Sequence, residues 1–122
     1  MKKYLVIGNP IDHSLSPILH NYWFKKNKIS AIYEKKLIIE SEMERIVSKL
    51  RSKELSGVNV TVPYKNKIIS FMDNLTKEAN ETKSVNTIYL ENDKIVGHNT
   101  DIAGFELAIR SYGYDLKKKN IF

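Results

Sequence analysis

Three polar stretches hold the residues of this chain best suited to chemistry, and each follows an apolar strand candidate. They are Gly8-Asn9-Pro10-Ile11-Asp12-His13-Ser14-Leu15-Ser16-Pro17, Asn59-Val60-Thr61-Val62-Pro63-Tyr64-Lys65 and Gly97-His98-Asn99-Thr100-Asp101. In an open α/β sheet the strands deliver such loops to one edge, and ligands bind there. Hydroxyls and amides, joined by one Lys and by Asp12 and Asp101, describe a single polar pocket for a small molecule.

Ser14 and Ser16 are two apart, so in extended backbone both hydroxyls point the same way. They stand where Pro17 opens a helix, whose free N–H groups and positive dipole end favour an anion such as a carboxylate. Read alone, the pair equally describes a helix cap at Ser16 and a loop residue at Ser14. Lys65 is read in the first turn of a helix opened by Pro63, where the dipole disfavours a cation and function would be the reason for one. The plainer account is a surface lysine, like neighbouring Lys67. Asp101 has N-capping as its default role and partnership with Lys65 as its functional one. Asn59, Thr61, Asn86 and Thr87 place polar groups in or beside apolar strands, where a polyhydroxylated ligand would supply partners. His13, His20 and His98 lack both helical i, i+4 spacing and an accompanying carboxylate cluster, so no metal is expected. No Gly-x-Gly-x-x-Gly or Walker sequence offers a nucleotide-phosphate loop.

The elements that must position these groups alternate between strand and helix. Strands are expected at 3–8, 31–38 and 58–62, and a hairpin of 85–91 with 94–97 turns on Asn92-Asp93. Helices are expected from Ser16, capped by that residue and carrying Leu19, Tyr22, Trp23 and Lys26 on one face, and from the capping-box spacing of Ser41 and Glu44. Further helices follow Pro63, span 76–83, and run from Thr100 or Asp101 to near Gly113. The fold class is therefore α/β, a three-layer, mainly parallel sheet with one antiparallel strand from the late hairpin and helices on both faces.

At 122 residues, with 42% hydrophobic and 28% charged content, the chain is one domain with a core of its own. No run of 18 apolar residues marks a membrane span, and the absence of cysteine fits a cytoplasmic protein. The net charge of +6 raises a nucleic-acid reading, but the lysines are scattered and their one dense run is Lys117-Lys118-Lys119. Neither nucleic acid nor membrane is an expected partner. Lys119-Asn120-Ile121-Phe122 reads as a strand cut short, so a domain at 1–116 is expected to be followed at 117–122 by the start of another.

Four strings in order resemble the substrate-binding domain of shikimate dehydrogenase: Gly-Asn-Pro-Ile-x-His-Ser-x-Ser-Pro-x-x-His-Asn at 8–21, Asn-Val-Thr-x-Pro-x-Lys at 59–65, Val-Asn-Thr at 85–87 and Asn-Thr-Asp-x-x-Gly at 99–104. The resemblance implies a two-domain enzyme that reduces 3-dehydroshikimate to shikimate with NADP as cofactor, on the route to aromatic amino acids. By the family pattern Ser14 and Ser16 hold the substrate carboxylate. Asn59, Thr61, Asn86 and Asp101 contact ring hydroxyls, and Lys65 with Asp101 forms the catalytic pair. The family's Rossmann-type domain, which binds NADP, is absent from these residues, so residues 1–122 alone are expected to be inactive. Quinate in place of shikimate, a stand-alone binding module for a hydroxylated acid, and a homodimer remain open at this point.

Overall fold

Residues 1–101 are described by the structure, a computed structural model; the expected final helix beyond Asp101 and the domain boundary at 116–117 lie outside them. Six strands form one sheet: β1 (Lys2–Gly8), β2 (Ala31–Leu37), β3 (Gly57–Val60), β4 (Asn74–Leu75), β5 (Thr87–Glu91) and β6 (Lys94–His98). Their spatial order is β2-β1-β3-β5-β6-β4. β1 pairs in parallel with β2 and β3, and β6 in parallel with β4. β5 runs against both β3 and β6, which makes it the single antiparallel strand. Asn92 and Asp93 both take positive φ, as a two-residue hairpin turn requires.

Alternation along β1 divides the core between the sheet faces. Leu5 and Ile7 point to the larger cluster, with Met43, Ile46, Val47 and Leu50 of helix α2 (Met43–Arg51) and Val58, Val60 and Ile88 of the sheet. Val6 points the other way, to Ile11, Tyr33, Tyr4 and Phe24, the last from helix α1 (Ser16–Lys26). Helices therefore cover both faces. A third helix, α3 (Lys77–Thr82), is capped by the Thr76 hydroxyl, which accepts from the Ala79 N–H at 3.3 Å.

Local readings fail where a loop or a face had to be judged. Leu19, Tyr22 and Trp23 do not form the buried face of α1: they are 58%, 60% and 55% exposed, and no residue of that helix is fully buried. The reciprocal contact before α2 comes from Glu42, which accepts from the Ile39 N–H at 3.0 Å, not from Ser41 and Glu44. Pro63 opens no α-helix. Residues Thr61–Tyr64 make a turn, and a 3₁₀ segment begins only at Lys67.

Candidate functional site

The C-terminal ends of β1 and β3, the start of β5 and the loop after β6 enclose an open cleft of about 630 Å³. Ser14, Ser16, Asn59, Thr61, Lys65 and Asn86 all line it. Asp101, the remaining residue expected in the site, enters it through its partners.

The backbone reaching Ser14 is turned, not extended: the Ser14 N–H donates to the Ile11 carbonyl at 3.0 Å, and Leu15 has helical φ and ψ. Ser16 is the first residue of α1, not its cap. The capping contact comes from Ser14, whose Oγ accepts from the Ser16 N–H at 3.3 Å. Both serines nevertheless line the cleft at the positive end of an 11-residue helix, a setting suited to an anion.

Lys65 is fixed by its neighbours rather than by a helix. Tyr64 is buried, and its hydroxyl donates to the Ile38 carbonyl at 2.7 Å. The Lys65 carbonyl accepts from the Val85 N–H at 2.8 Å. From that platform Nζ reaches Asp101 Oδ2 at 3.0 Å, with the side chains 30% and 55% exposed. The other oxygen of Asp101 accepts from Asn86 Nδ2 at 3.0 Å. Asn99, 2% exposed, fixes the backbone before Asp101, accepting from the Asp101 N–H at 2.7 Å and donating to the Ser84 carbonyl at 3.0 Å.

The two asparagines are heavily engaged. Asn59 donates through Nδ2 to the Asn86 carbonyl and to Thr87 Oγ1, both at 3.2 Å, and accepts at Oδ1 from the Tyr33 hydroxyl at 2.6 Å. One lone pair of its oxygen is left, so Asn59 in this arrangement meets a ligand hydroxyl only as an acceptor. Asn86 Oδ1 accepts from Thr87 Oγ1 at 3.0 Å and from the Thr100 N–H at 3.2 Å, while its second N–H goes to Thr100 Oγ1 at 3.0 Å. All four of its hydrogen-bonding positions are filled, so a ligand must displace one of these partners.

Sequence reasoning missed Tyr33. It sits in a strand of weak alternation and reads as a core aromatic, yet its buried hydroxyl meets the site. Burial pushes that phenol up to about 12, an effect the Ser16 side chain partly offsets by hydrogen bonding. His20, noted only as a metal candidate, lines the cleft and stacks on Tyr33 with ring centroids 4.2 Å apart. The signal that points to it is its place in the 8–21 string, not any property of the histidine. Among the described residues no three His, Asp or Glu side chains gather where they could hold a metal ion.

Against known families, residues 6–88 match the shikimate dehydrogenase substrate binding domain. The chain belongs to this family. A shikimate dehydrogenase (NADP(+)) of Pelagibacter ubique is 52% identical over 118 residues, which are 97% of this chain and 44% of that protein. The crystal structure of shikimate 5-dehydrogenase from Listeria monocytogenes in complex with shikimate and NAD superposes with a TM-score of 0.89 at 32% identity, covering 95% of this chain and 40% of that one. The Thermus thermophilus enzyme in complex with NADP(H) and shikimate superposes at 0.86 and 29% identity, covering 95% and 44%. The chain thus spans less than half the length of these shikimate dehydrogenases.

Proposed function

We propose that this chain is the substrate-binding and catalytic domain of an NADP-dependent shikimate dehydrogenase that reduces 3-dehydroshikimate to shikimate in aromatic amino acid biosynthesis. The observation that carries the reading is the Lys65–Asp101 pair, 3.0 Å apart, beside a cleft that Lys65 shares with Ser14 and Ser16. The serines hold the substrate carboxylate at the start of α1. Asn59, Thr61, Asn86 and Asp101 receive the ring hydroxyls. As the ketone oxygen gathers negative charge during reduction, the Lys65 ammonium stabilises it and then gives it a proton, which leaves the product alcohol and a neutral amine. Asp101 holds that amine in place and favours its charged form before the transfer.

The described residues do not fit the cofactor. Lys65 is the only lysine or arginine among those lining the cleft and is already paired with Asp101, and the anion-favouring start of α1 is taken by the substrate carboxylate in this reading, so no cation or helix start is left for a dinucleotide pyrophosphate. NADPH, the hydride source, is held by a second domain in this reading, one that follows the domain at 1–116 and begins at 117–122. The greater length of the relatives supports that division. We also propose a cytoplasmic enzyme, with the homodimer as an assembly to be tested.

Calorimetric titration of the 122-residue chain with shikimate and with NADP, beside turnover of the complete enzyme, tests the proposal. Expected are weak shikimate binding, no NADP binding and no turnover from the chain alone, with NADP-dependent oxidation of shikimate by the complete enzyme. A complete enzyme that turns over quinate but not shikimate would overturn the substrate assignment. Steady NADP-dependent turnover by the chain alone would overturn the division of labour between domains. Sedimentation of the complete enzyme as a monomer would remove the homodimer.

A further inference from the structure

The hydrogen bonds between Tyr33 and Asp101 all run in one direction, and fixed chemistry forces it. Asn59 Nδ2 faces the Asn86 carbonyl, which can only accept, so its nitrogen and oxygen cannot be exchanged. Asn59 Oδ1 is then an acceptor, and the Tyr33 hydroxyl 2.6 Å away must donate to it. Asn86 Oδ1 faces the Thr100 N–H, which can only donate, so that amide is fixed as well. The Thr87 hydroxyl lies between Asn59 Nδ2 at 3.2 Å and Asn86 Oδ1 at 3.0 Å, so it accepts from the first and donates to the second. Asn86 Nδ2 donates onward to the Asp101 carboxylate, which also receives Lys65.

We infer that Tyr33 and Thr87 are positioning residues for the Lys65–Asp101 pair, acting through one single-sense hydrogen-bond chain, Tyr33 to Asn59 to Thr87 to Asn86 to Asp101. Bonds aligned head to tail polarise one another, so each donor in the chain reinforces the next, and the sequence ends on the carboxylate that holds Lys65. Tyr33 is held firmly as the donor to Asn59. Its phenol, pushed up to about 12, stays a donor at any ordinary pH. Its strand lies at the sheet edge, where outward backbone groups have no strand to pair with. The Asn21 side chain takes both: its Oδ1 accepts from the Tyr33 N–H at 2.9 Å and its Nδ2 donates to the Tyr33 carbonyl at 2.8 Å. His20 stacks on the ring at an interplanar angle of 8°. Thr87 is the joint between the two side-chain amides, since the other link, from Asn59 Nδ2 to the Asn86 carbonyl, reaches only the backbone of Asn86.

The inference rests on the proposed function for its kinetic consequence and on geometry alone for its spectroscopic one, so the two are tested separately. In protein labelled with nitrogen-15 at asparagine, Tyr33→Phe should shift the side-chain amide resonances of Asn59 and, through Thr87, those of Asn86. In a Thr87→Val background the same Tyr33→Phe change should move Asn59 as before and Asn86 less, since only the Asn59 Nδ2 contact with the Asn86 carbonyl then joins them. Thr87→Ala, which removes the same hydroxyl, serves if the valine variant does not fold. In the complete enzyme Thr87→Val should lower kcat/KM about 10-fold, the scale of one hydrogen bond, while Thr87→Ser stays within about 2-fold of wild type. Tyr33→Phe and Thr87→Val together should lose less than the product of their separate losses. The chain is refuted if Tyr33→Phe leaves Asn86 unmoved in the wild-type background or moves it equally in the Thr87→Val background. A serine variant as impaired as the valine one, or losses that multiply fully, would refute its role in positioning the pair.

Discussion

Replacing Lys65 by alanine should separate activity from stability, and the structure sets both magnitudes. The amine lies 3.0 Å from Asp101 Oδ2, but the two side chains are 30% and 55% exposed, so solvent screens much of their attraction. Exposed pairs of this kind contribute about 0–1 kcal/mol, so the variant should unfold within a few degrees of the parent. The platform beneath it does not depend on the amine: Tyr64 stays bound to the Ile38 carbonyl and the Lys65 carbonyl to the Val85 N–H. The catalytic loss is of another order. Removing the donor that meets the developing alkoxide should lower kcat at least ~100-fold, with modest change in KM. Asp101→Asn should be nearly as severe for a different reason. Asp101 accepts from Lys65 on one oxygen and from Asn86 on the other, and an amide has a donor where one of those acceptors was. The double variant should fall far short of the product, since the two act as a unit. Lys67→Ala is the control, because Lys67 pairs with Glu40 at 3.3 Å and does not line the cleft. Steady-state absorbance of the nicotinamide cofactor with the complete enzyme, beside thermal melts, reads all four variants. A loss below about 5-fold for Lys65→Ala, or one matched by Lys67→Ala, would refute the assignment, because no lost general acid is that cheap.

Ser14→Ala and Ser16→Ala should each raise KM more than they lower kcat, since both hold a group remote from the reacting carbon; a lost kcat with unchanged KM refutes this. Melting should register Ser14→Ala through the lost acceptor of the Ser16 N–H, and Ser16→Ala through the lost hydrogen bond to the buried Tyr33 phenol rather than through any cap. Gly8→Ala should destabilise by about 1–3 kcal/mol and weaken substrate binding, because its Cβ would collide with Thr61 Cγ2 and lie 3.0 Å from the Val62 carbonyl; an unchanged Tm and KM would argue that this edge of the cleft yields. Asp73 accepts from the Ile95 N–H at 2.8 Å and from Arg51 at 3.0 Å, and these contacts, the backbone one foremost, hold its carboxyl below the usual range. Its stabilisation is therefore present above the unfolded carboxylate value near ~3.9 and lost as pH falls through the lower folded value. Asp73→Ala should melt below the parent at pH 7, and the gap should close on acidification; a gap that persists in strong acid contradicts the account.

How much of this was legible in the sequence depended on whether a residue's role is set by its neighbours in the chain or across the sheet. The mainly parallel sheet and its single antiparallel strand follow from strand–helix alternation and the Asn92-Asp93 turn, all local, whereas the order of the strands and the two-residue β4 lay outside that reading. The helix expected after Pro63 failed because Ile68 and Ile69 carry apolar spacing that a 3₁₀ segment serves as well as an α-helix. The dipole argument for Lys65 fell with that helix, while the residue's contact with Asp101, 36 positions away, does not need it. The face assigned to α1 failed for a related reason. Its apolar residues are real, but Leu19, Tyr22 and Trp23 are not packed against the described residues, and a pattern cannot say which surface will cover it.

The deepest gap is Tyr33, and it shows what a sequence pattern conceals about polar sites. Asn59, Asn86 and Asp101 announce themselves as polar residues in or after apolar strands. A tyrosine in a strand announces only a ring. Its hydroxyl matters because β2 lies beside β1 and β1 beside β3, which brings position 33 within 2.6 Å of position 59. That neighbourhood is a product of the whole sheet order, and no string of adjacent residues carries it. The same sheet order explains why the site tolerates so little empty polarity: among the described residues no buried side-chain nitrogen or oxygen lacks a partner. Asn86, with every position filled, must then surrender a bond to receive a ligand, and Thr100, which holds it from both ends, is the partner outside the chain from Tyr33 to Asp101. Under the proposed function, binding is an exchange in which Thr100 gives way while the links through Thr87 keep Asp101 and Lys65 aimed at the reacting oxygen.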